Sequence, residues 1–390
     1  MKKIDFIFFD AGGGHRSAAN ALRLVIEQQQ RPWEIRLVNL QELLDPLDVF
    51  RKLTGLRLQD IYNLLLKKGW TLGSPQLTCG MHLVIRLYHR KQVRLLESFW
   101  GQSRPDMVVS VVPNFNRALR ESLGRALPET PFVTILTDLA DYPPHFWMER
   151  QQQFLICGSE RAVEQARELG HSDDRIFRTS GMILDPRFYE PITIDQRAER
   201  QRLGFHPDRA TGLVLFGGQG SRVMLEIAQR LDHSGLPLQL IFICGRNQKL
   251  YRALSRGKHR LRRLVEGFTT EVPYYMHLSD FFIGKPGPGS VSEALAMKLP
   301  VIVQRNAWTL PQERCNAEWV IEKQVGLVVR NFRNIAAAVR SLLAPPSFAH
   351  CRAHAAALNN RAVFEIPDIL EQILSSTGIP ACVKERSCES

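Results

Sequence analysis

Between residues 4 and 304 the chain repeats one unit: a short apolar run, a turn, and a stretch in which apolar residues recur at helical spacing. The runs read IDFIFF, EIRLVNL, DMVVSVV, PFVTILTD and QFLICGS, then TGLVLFGG, LQLIFICG, DFFIG and PVIVQ. Runs this brief and this uniformly apolar belong to strands buried on both faces. That is the condition of a parallel sheet with helices packed on either side.

The alternation breaks once, at SGMILDPRFYEPI, a proline-containing stretch without a period, and then restarts. Two series joined across 186–208 predict an α/β chain of two Rossmann-like domains, assigned to 1–195 and 196–375, with 376–390 a frayed tail. A length of 390 residues exceeds what one hydrophobic core usually serves, and a 44% hydrophobic content supplies two.

Seven cysteines form no CxxC pair, and two of them end apolar runs, where a buried free thiol is expected; the pattern fits a reducing cytoplasm. The opening MKKIDFIFFD is interrupted by Asp5 and Asp10 and has no small-residue cleavage site after it, so it reads as a strand. No uncharged apolar run approaches the ~20 residues of a spanning helix, so membrane contact would be peripheral. Net charge is +12, and between 51 and 100 nine Lys/Arg face two acids, Asp60 and Glu97. Such a field attracts nucleic acid, anionic lipid or phosphorylated ligands without choosing among them.

Three glycine-rich turns follow apolar runs and precede helices: Gly12, Gly13 and Gly14; Gly217, Gly218 and Gly220; Gly284, Gly287 and Gly289. Ligands of doubly wound sheets bind at such places, where unpaired amides at helix N-termini attract anions. None has the spacing of a P-loop or of GxGxxG, which disfavours a kinase or an ordinary dehydrogenase. His15 falls at the first turn of its helix, where the dipole keeps imidazole neutral, as a proton acceptor must be; a simple helix-capping histidine is the alternative. Glu293 lies about one turn into the helix after the third glycine turn, placed to accept hydrogen bonds from a ribose diol or merely to favour the helix start. No D-x-D pair and no His/Cys cluster with metal-ligand spacing occurs, so a bound diphosphate would be neutralised by amides, helix dipoles and cations.

In order along about 320 residues, GGGHRSAANAL, RPDMVVSVVP, FVTILTDL, FGGQGS, ICGRNQKL, GKPGPGSVSEALAMKLPVIV and PQERCNAEWV make the chain resemble the monogalactosyldiacylglycerol synthase and processive diacylglycerol glucosyltransferase family, related to the peptidoglycan lipid-linked GlcNAc transferase. The resemblance implies a GT-B fold, with the lipid acceptor on the N-terminal half and the UDP-sugar, a substrate and not a cofactor, on the C-terminal half. It further implies inverting, metal-independent transfer of a hexose to a lipid such as 1,2-diacylglycerol. By the same resemblance His15 is the base and Asp138 a second candidate for orienting or replacing it. Gly13, Gly14 and His145 lie on the acceptor side. Gly218, Ser221, Gly287, Gly289 and Ser290 surround the diphosphate, Glu293 meets the ribose, Gln312 and Glu313 the sugar hydroxyls, and Asn316 supports that loop. TDLADYPPHFWM departs from the histidine-proline that family members often carry after TDL, which bears on the acceptor.

In this setting the basic 51–100 region, with Trp70, Trp100 and leucines beside Lys67, Lys68, Arg90 and Lys91, reads as a surface for anionic lipid, or else as packed helices with solvated cationic faces. The expected location is cytoplasmic, peripheral to the inner face of the plasma membrane. GlcNAc transfer to another lipid-linked or envelope acceptor, UDP-sugar epimerisation, and sugar-nucleotide or nucleic-acid binding are the competing functions. The last lacks a helix-turn-helix, RNP or zinc signature, so no nucleic-acid partner is expected.

Overall fold

The computed structural model of the chain describes residues 1–10, 14–47, 74–142, 146–307 and 309–377. Twelve described strands form two six-stranded sheets, parallel throughout. The first contains β1 (Lys2–Phe8), β2 (Trp33–Asn39), β3 (Met107–Ser110), β4 (Phe132–Ile135), β5 (Phe154–Cys157) and β6 (Ile176–Arg178), in the order β2-β1-β3-β4-β5-β6. The second contains β7 (Ala210–Leu215), β8 (Leu238–Ile243), β9 (Arg263–Glu266), β10 (Phe281–Gly284), β11 (Val301–Gln304) and β12 (Gly326–Val329), in the order β12-β11-β10-β7-β8-β9. The chain reverses its direction of winding between β1 and β3, and again between β7 and β10. Those are the crevices where doubly wound sheets take ligands.

Strand periodicity explains why each sheet is covered twice. On β1, Ile4, Phe6 and Phe8 enter one core while Ile7 enters the other; on β8, Leu240 and Phe242 separate in the same way from Ile241 and Ile243. The nine runs read from the sequence are β1 to β5, β7, β8, β10 and β11. The three strands not among them, β6, β9 and β12, are all edges, and their residues are largely half-buried. An edge strand needs less apolar density, and Arg and Glu dilute the signal of β6 and β9, whereas β12 reads GLVV, an apolar run that the sequence reading passes over.

Two readings change with the structure. Helix Ala362–Thr377, most of it within the stretch assigned to the second domain, packs on the first sheet: Ala362, Val363, Ile366, Leu370 and Ile373 join Ile4, Phe6, Leu22 and Val25 in one core. Arg31 fastens it by pairing with Asp368 and, at 2.6 Å, with Glu371. Trp100, expected at an interface with lipid, is instead fully buried and donates from Nε1 to Ser122 Oγ at 2.9 Å. Trp70, Lys67 and Lys68 lie outside the described residues.

The chain therefore crosses between the domains twice, and the crossings are bonded to each other. Asn360 donates from Nδ2 to the Met182 carbonyl (2.8 Å), the Arg361 amide donates to Ser180 Oγ (2.6 Å), and the Ser180 amide donates to Glu365 (2.8 Å). A Cβ at Gly181 would fall 2.6 Å from Asn360 Cγ, so any larger residue there would displace the side chain that makes this bond. Because Leu370 fills the first core from the far end of the chain, Leu370→Ala should destabilise by about 2–5 kcal/mol. The loss should be read in the amide exchange of β1 and β3; unaltered exchange there would show that the helix contributes nothing to that core.

Candidate active site

At the carboxyl edge of the first sheet, β1 leads into helix Gly14–Gln28, which places His15 in its first turn beside the ends of β3 and β4. Its Nδ1 is 3.2 Å from Thr137 Oγ1, and its ring centroid is 5.8 Å from that of Trp147, tilted by 58°. Desolvation by this packing lowers the imidazole pKa to about 4 against the opposing pull of the Val111 carbonyl, so the ring is neutral at physiological pH. Trp147 is fully buried and donates from Nε1 to Asp138 Oδ2 at 2.9 Å.

The indole is fixed from behind. Asp141 accepts from the Trp147 amide (2.7 Å), and Asn116, itself bonded to Ser110 Oγ (2.6 Å), donates to the Trp147 carbonyl (2.8 Å). Burial pushes the Asp138 carboxyl up to about 7, opposed by the Trp147 hydrogen bond and raised further by Glu313; Lys285 acts in the opposite direction. Asp138 belongs to the first domain and Lys285 and Glu313 to the second. Their charges act on Asp138, which puts the two sheet edges within electrostatic reach of each other.

On the second wall, the turn after β7 lies against the turn after β8. Gly217, Gly220 and Gly245 all have positive φ (73°, 60° and 59°), the Arg246 amide donates to the Gly218 carbonyl (2.9 Å), and a Cβ on Gly245 would meet that carbonyl oxygen at 2.3 Å. Only glycine fits such an approach. After β10, Gly287 caps helix Pro288–Ala296, whose first turn has no side-chain cap, leaving the amides of Gly289 and Ser290 directed out of the helix start. A Cβ at Gly14, Gly218 or Gly289 would meet nothing within 4 Å, so open space adjoins all three.

Lys285 stands between the two turns. Its Cε would be 3.9 Å from a Cβ on Gly217 and 3.3 Å from one on Gly287, and its Nζ is 2.7 Å from Glu313 Oε1. Glu313 is buried and Gln312 half-buried, both in the first turn of helix Pro311–Glu322. Asn316 is fully buried and donates to the Pro286 carbonyl at 2.9 Å, which pins the turn; among the described residues its Oδ1 has no partner. Glu293 is half-buried, with a pKa raised to about 7 by desolvation and then by the carboxylate of Asp185. Ser221 accepts from the Val223 amide at 3.3 Å, at the start of its helix.

The structure thus brings His15, Asp138, Lys285, Glu313, Gly287 and Asn316 to one cleft. Gly13 and His145 lie outside the described residues. Among the described residues the hydroxyl against His15 is that of Thr137, while Asp138 bonds to Trp147. Sequence reasoning missed Thr137 and Trp147. The threonine lies inside the quoted LTDL block without a signal of its own, and the tryptophan follows a proline pair in a stretch with no period.

Residues 213–372 match the model of the glycosyltransferase family 28 C-terminal domain. The chain is 27% identical over 353 residues to monogalactosyldiacylglycerol synthase 2 of Arabidopsis thaliana, covering 85% of this chain and 71% of that protein. It is 28% identical over 362 residues to the Spinacia oleracea synthase, covering 88% and 66%. The chain thus spans about two thirds of the length of these relatives. Among solved structures, Acinetobacter baumannii MurG superposes with a TM-score of 0.64 at 12% identity, covering 95% of this chain and all of that one. The calicheamicin glycosyltransferase CalG4 gives 0.59 at 17%, covering 97% and 98%. The fold is GT-B, the resemblance read from the sequence holds, and the chain is a sugar-transferring enzyme.

Asp138 yields a prediction whose sign follows from its environment. Its folded pKa of about 7 exceeds the ordinary 3.8, so the native state holds a proton that the unfolded chain has released, and stability is lost as pH rises from about 4 through 7. Asp138→Asn, which keeps an acceptor for the indole, should therefore stabilise the protein at pH 8 by about 2–4 kcal/mol and hardly at all near pH 4. Urea melts at the two pH values measure this; an equal effect at both would contradict the desolvated carboxyl.

Proposed function

We propose that this GT-B glycosyltransferase moves a hexose from a UDP-sugar to the hydroxyl of a lipid acceptor such as 1,2-diacylglycerol, with inversion and without a metal. The observation that carries the reading is the cleft itself. A neutral imidazole at the edge of the first sheet neighbours Asp138 through Trp147, and Asp138 feels the charges of Lys285 and Glu313 beside an open helix N-terminus at the edge of the second.

The diphosphate lies at the switch point between β7 and β10, over Gly218 and Ser221 on one side and Gly287, Gly289 and Ser290 on the other. The helix amides and the Lys285 ammonium neutralise it. Glu293 accepts from the ribose diol, and Gln312 and Glu313 hold the sugar hydroxyls. His15 takes the proton of the acceptor hydroxyl as its oxygen bonds to the anomeric carbon; the bond to UDP breaks with its electron pair leaving on the diphosphate. Thr137 fixes the ring through Nδ1. Trp147 closes one side of the ring and keeps water from it, while Asp138 lies behind the indole.

The acceptor side offers a cationic surface. Helix Ser74–Ser103 exposes Arg86, Arg90, Lys91 and Arg94 together with Leu87, which is 72% exposed. Beside it a groove of about 720 Å³ is lined by Arg86, His89, Arg117, Arg120 and Arg150, with Glu121 and Glu149 among them. Among the described residues no helix is long and apolar enough to cross a membrane. These features support peripheral attachment to an anionic membrane, placed here at the cytoplasmic face of the plasma membrane, where each basic side chain near the surface contributes about 1 kcal/mol.

Labelled UDP-galactose, UDP-glucose and UDP-GlcNAc, supplied with mixed diacylglycerol and anionic-lipid vesicles, should yield label in chloroform-extractable lipid. EDTA should leave the rate unchanged, and His15→Ala should lower it by about 10²–10⁴-fold. Label that stays water-soluble with every lipid would refute the lipid acceptor. Loss of activity in EDTA, restored by a divalent cation, would refute metal independence.

A further inference from the structure

The first crossing between the domains carries an ion pair that the transfer chemistry does not use. Asp185 accepts at Oδ1 from the backbone amide of Arg187 (3.0 Å) and from its Nε (3.1 Å), and at Oδ2 from its Nη2 (3.1 Å). The remaining arm, Nη1, reaches across 83 residues to the carbonyl of Thr270 at 3.0 Å, with the Glu271 carboxylate 3.7 Å away. Thr270 belongs to the segment that follows β9, on the same rim as the turns after β7 and β8: a Cβ on Gly267 would lie 4.0 Å from the Gly245 carbonyl oxygen. The crossing itself is wedged. Its turn Pro186–Tyr189 touches helix Gly14–Gln28 of the first domain and helix Pro288–Ala296 of the second, and Tyr189 packs against a core on each side.

Stability does not account for this arrangement. Arg187 and Asp185 are 43% and 33% exposed, a setting in which an ion pair contributes little. What the pair does is geometric, because a guanidinium can grip a carboxylate with two nitrogens and still offer a third to a carbonyl, which an ammonium cannot do. Asp185 also faces the second domain directly, since its charge raises the pKa of Glu293.

We propose that Asp185 and Arg187 form a positioning clamp that ties segment 267–271 of the donor-side rim to the crossing between the domains, so that ligand binding on the rim is transmitted to the hinge. The transmission rests on the donor reading given above; the mechanical tie does not. A nucleotide that orders the rim then also orders the crossing, and the crossing in turn holds the rim in a shape ready to bind.

The test combines amide hydrogen exchange with binding of UDP, in wild type, Arg187→Ala and Arg187→Lys. Without ligand, both variants should exchange faster across 267–271 while their melting temperature stays near that of wild type. With UDP, wild type should gain protection at 180–189 as well as at 267–271, and both variants at 267–271 alone. UDP affinity should fall by about tenfold in both, the worth of one charge-assisted bond, and the KM for the UDP-sugar should rise by the same factor while kcat at saturation and the KM for the acceptor hold. Unchanged exchange at 267–271 in the ligand-free variants, or wild-type behaviour restored by Arg187→Lys, would overturn the clamp. Wild-type protection confined to 267–271 would overturn the transmission. A wild type that shows no UDP binding, with accelerated exchange in the variants, would instead overturn the donor reading and support the tie.

Discussion

A parallel sheet ends all its strands at one edge, and where the winding reverses direction the loops on either side of the reversal diverge and leave a crevice lined with unpaired amides. This chain does so twice, between β1 and β3 and between β7 and β10, and the two edges face each other. Residues far apart in sequence are thereby brought near one another: His15 with Thr137, 122 positions away, and Asp138 with Lys285 and Glu313. The glycines at the edges follow from the same geometry, since Gly245 and Gly220 sit where backbone meets backbone.

Desolvation then decides the charge state of each group. His15 is kept neutral, with its pKa near 4, while Asp138 and Glu293 are raised to about 7, so each carboxyl is poised between its acid and its anion at physiological pH. The Lys285 ammonium is paired with the Glu313 carboxylate, and the helix start Pro288–Ala296 beside them supplies the positive end of its dipole. A cleft with a neutral base on one wall and positive potential on the other suits a reaction in which a proton is taken up and a diphosphate leaves. The crossings matter because such a cleft works only when its walls are held at the right separation, and Asn360, Arg361 and Arg187 bond the crossings to each other and to the rim.

Much of this was legible in the sequence, for a physical reason. Interior strands are buried on both faces, so β1, β4, β7, β8 and β10 announced themselves as apolar runs, and glycine turns after β1, β7 and β10 marked the two ligand edges. Edge strands β6 and β9 are short and carry Arg and Glu among their apolar residues, so no such run marks them. The sequence of an amphipathic helix does not say which side carries the core, so the lipid-surface and packed-helix readings stand side by side for Trp100; the tryptophan is buried while Leu87 is exposed. Helix Ala362–Thr377 has the period of any covering helix, and nothing in that period names the sheet it covers. Trp147 and Thr137 were invisible because their roles depend on a loop held by Asp141 and Asn116, a contact of tertiary structure without a local pattern.

The proposed chemistry depends on a histidine that packing at the edge of the first sheet keeps unprotonated. A proton NMR titration of the His15 imidazole in the intact protein tests this most directly. A midpoint near 4 is the result the desolvated ring requires. A midpoint at or above the ordinary 6.5 would mean that the ring is solvated or paired with an anion, and the neutral base would have to be abandoned.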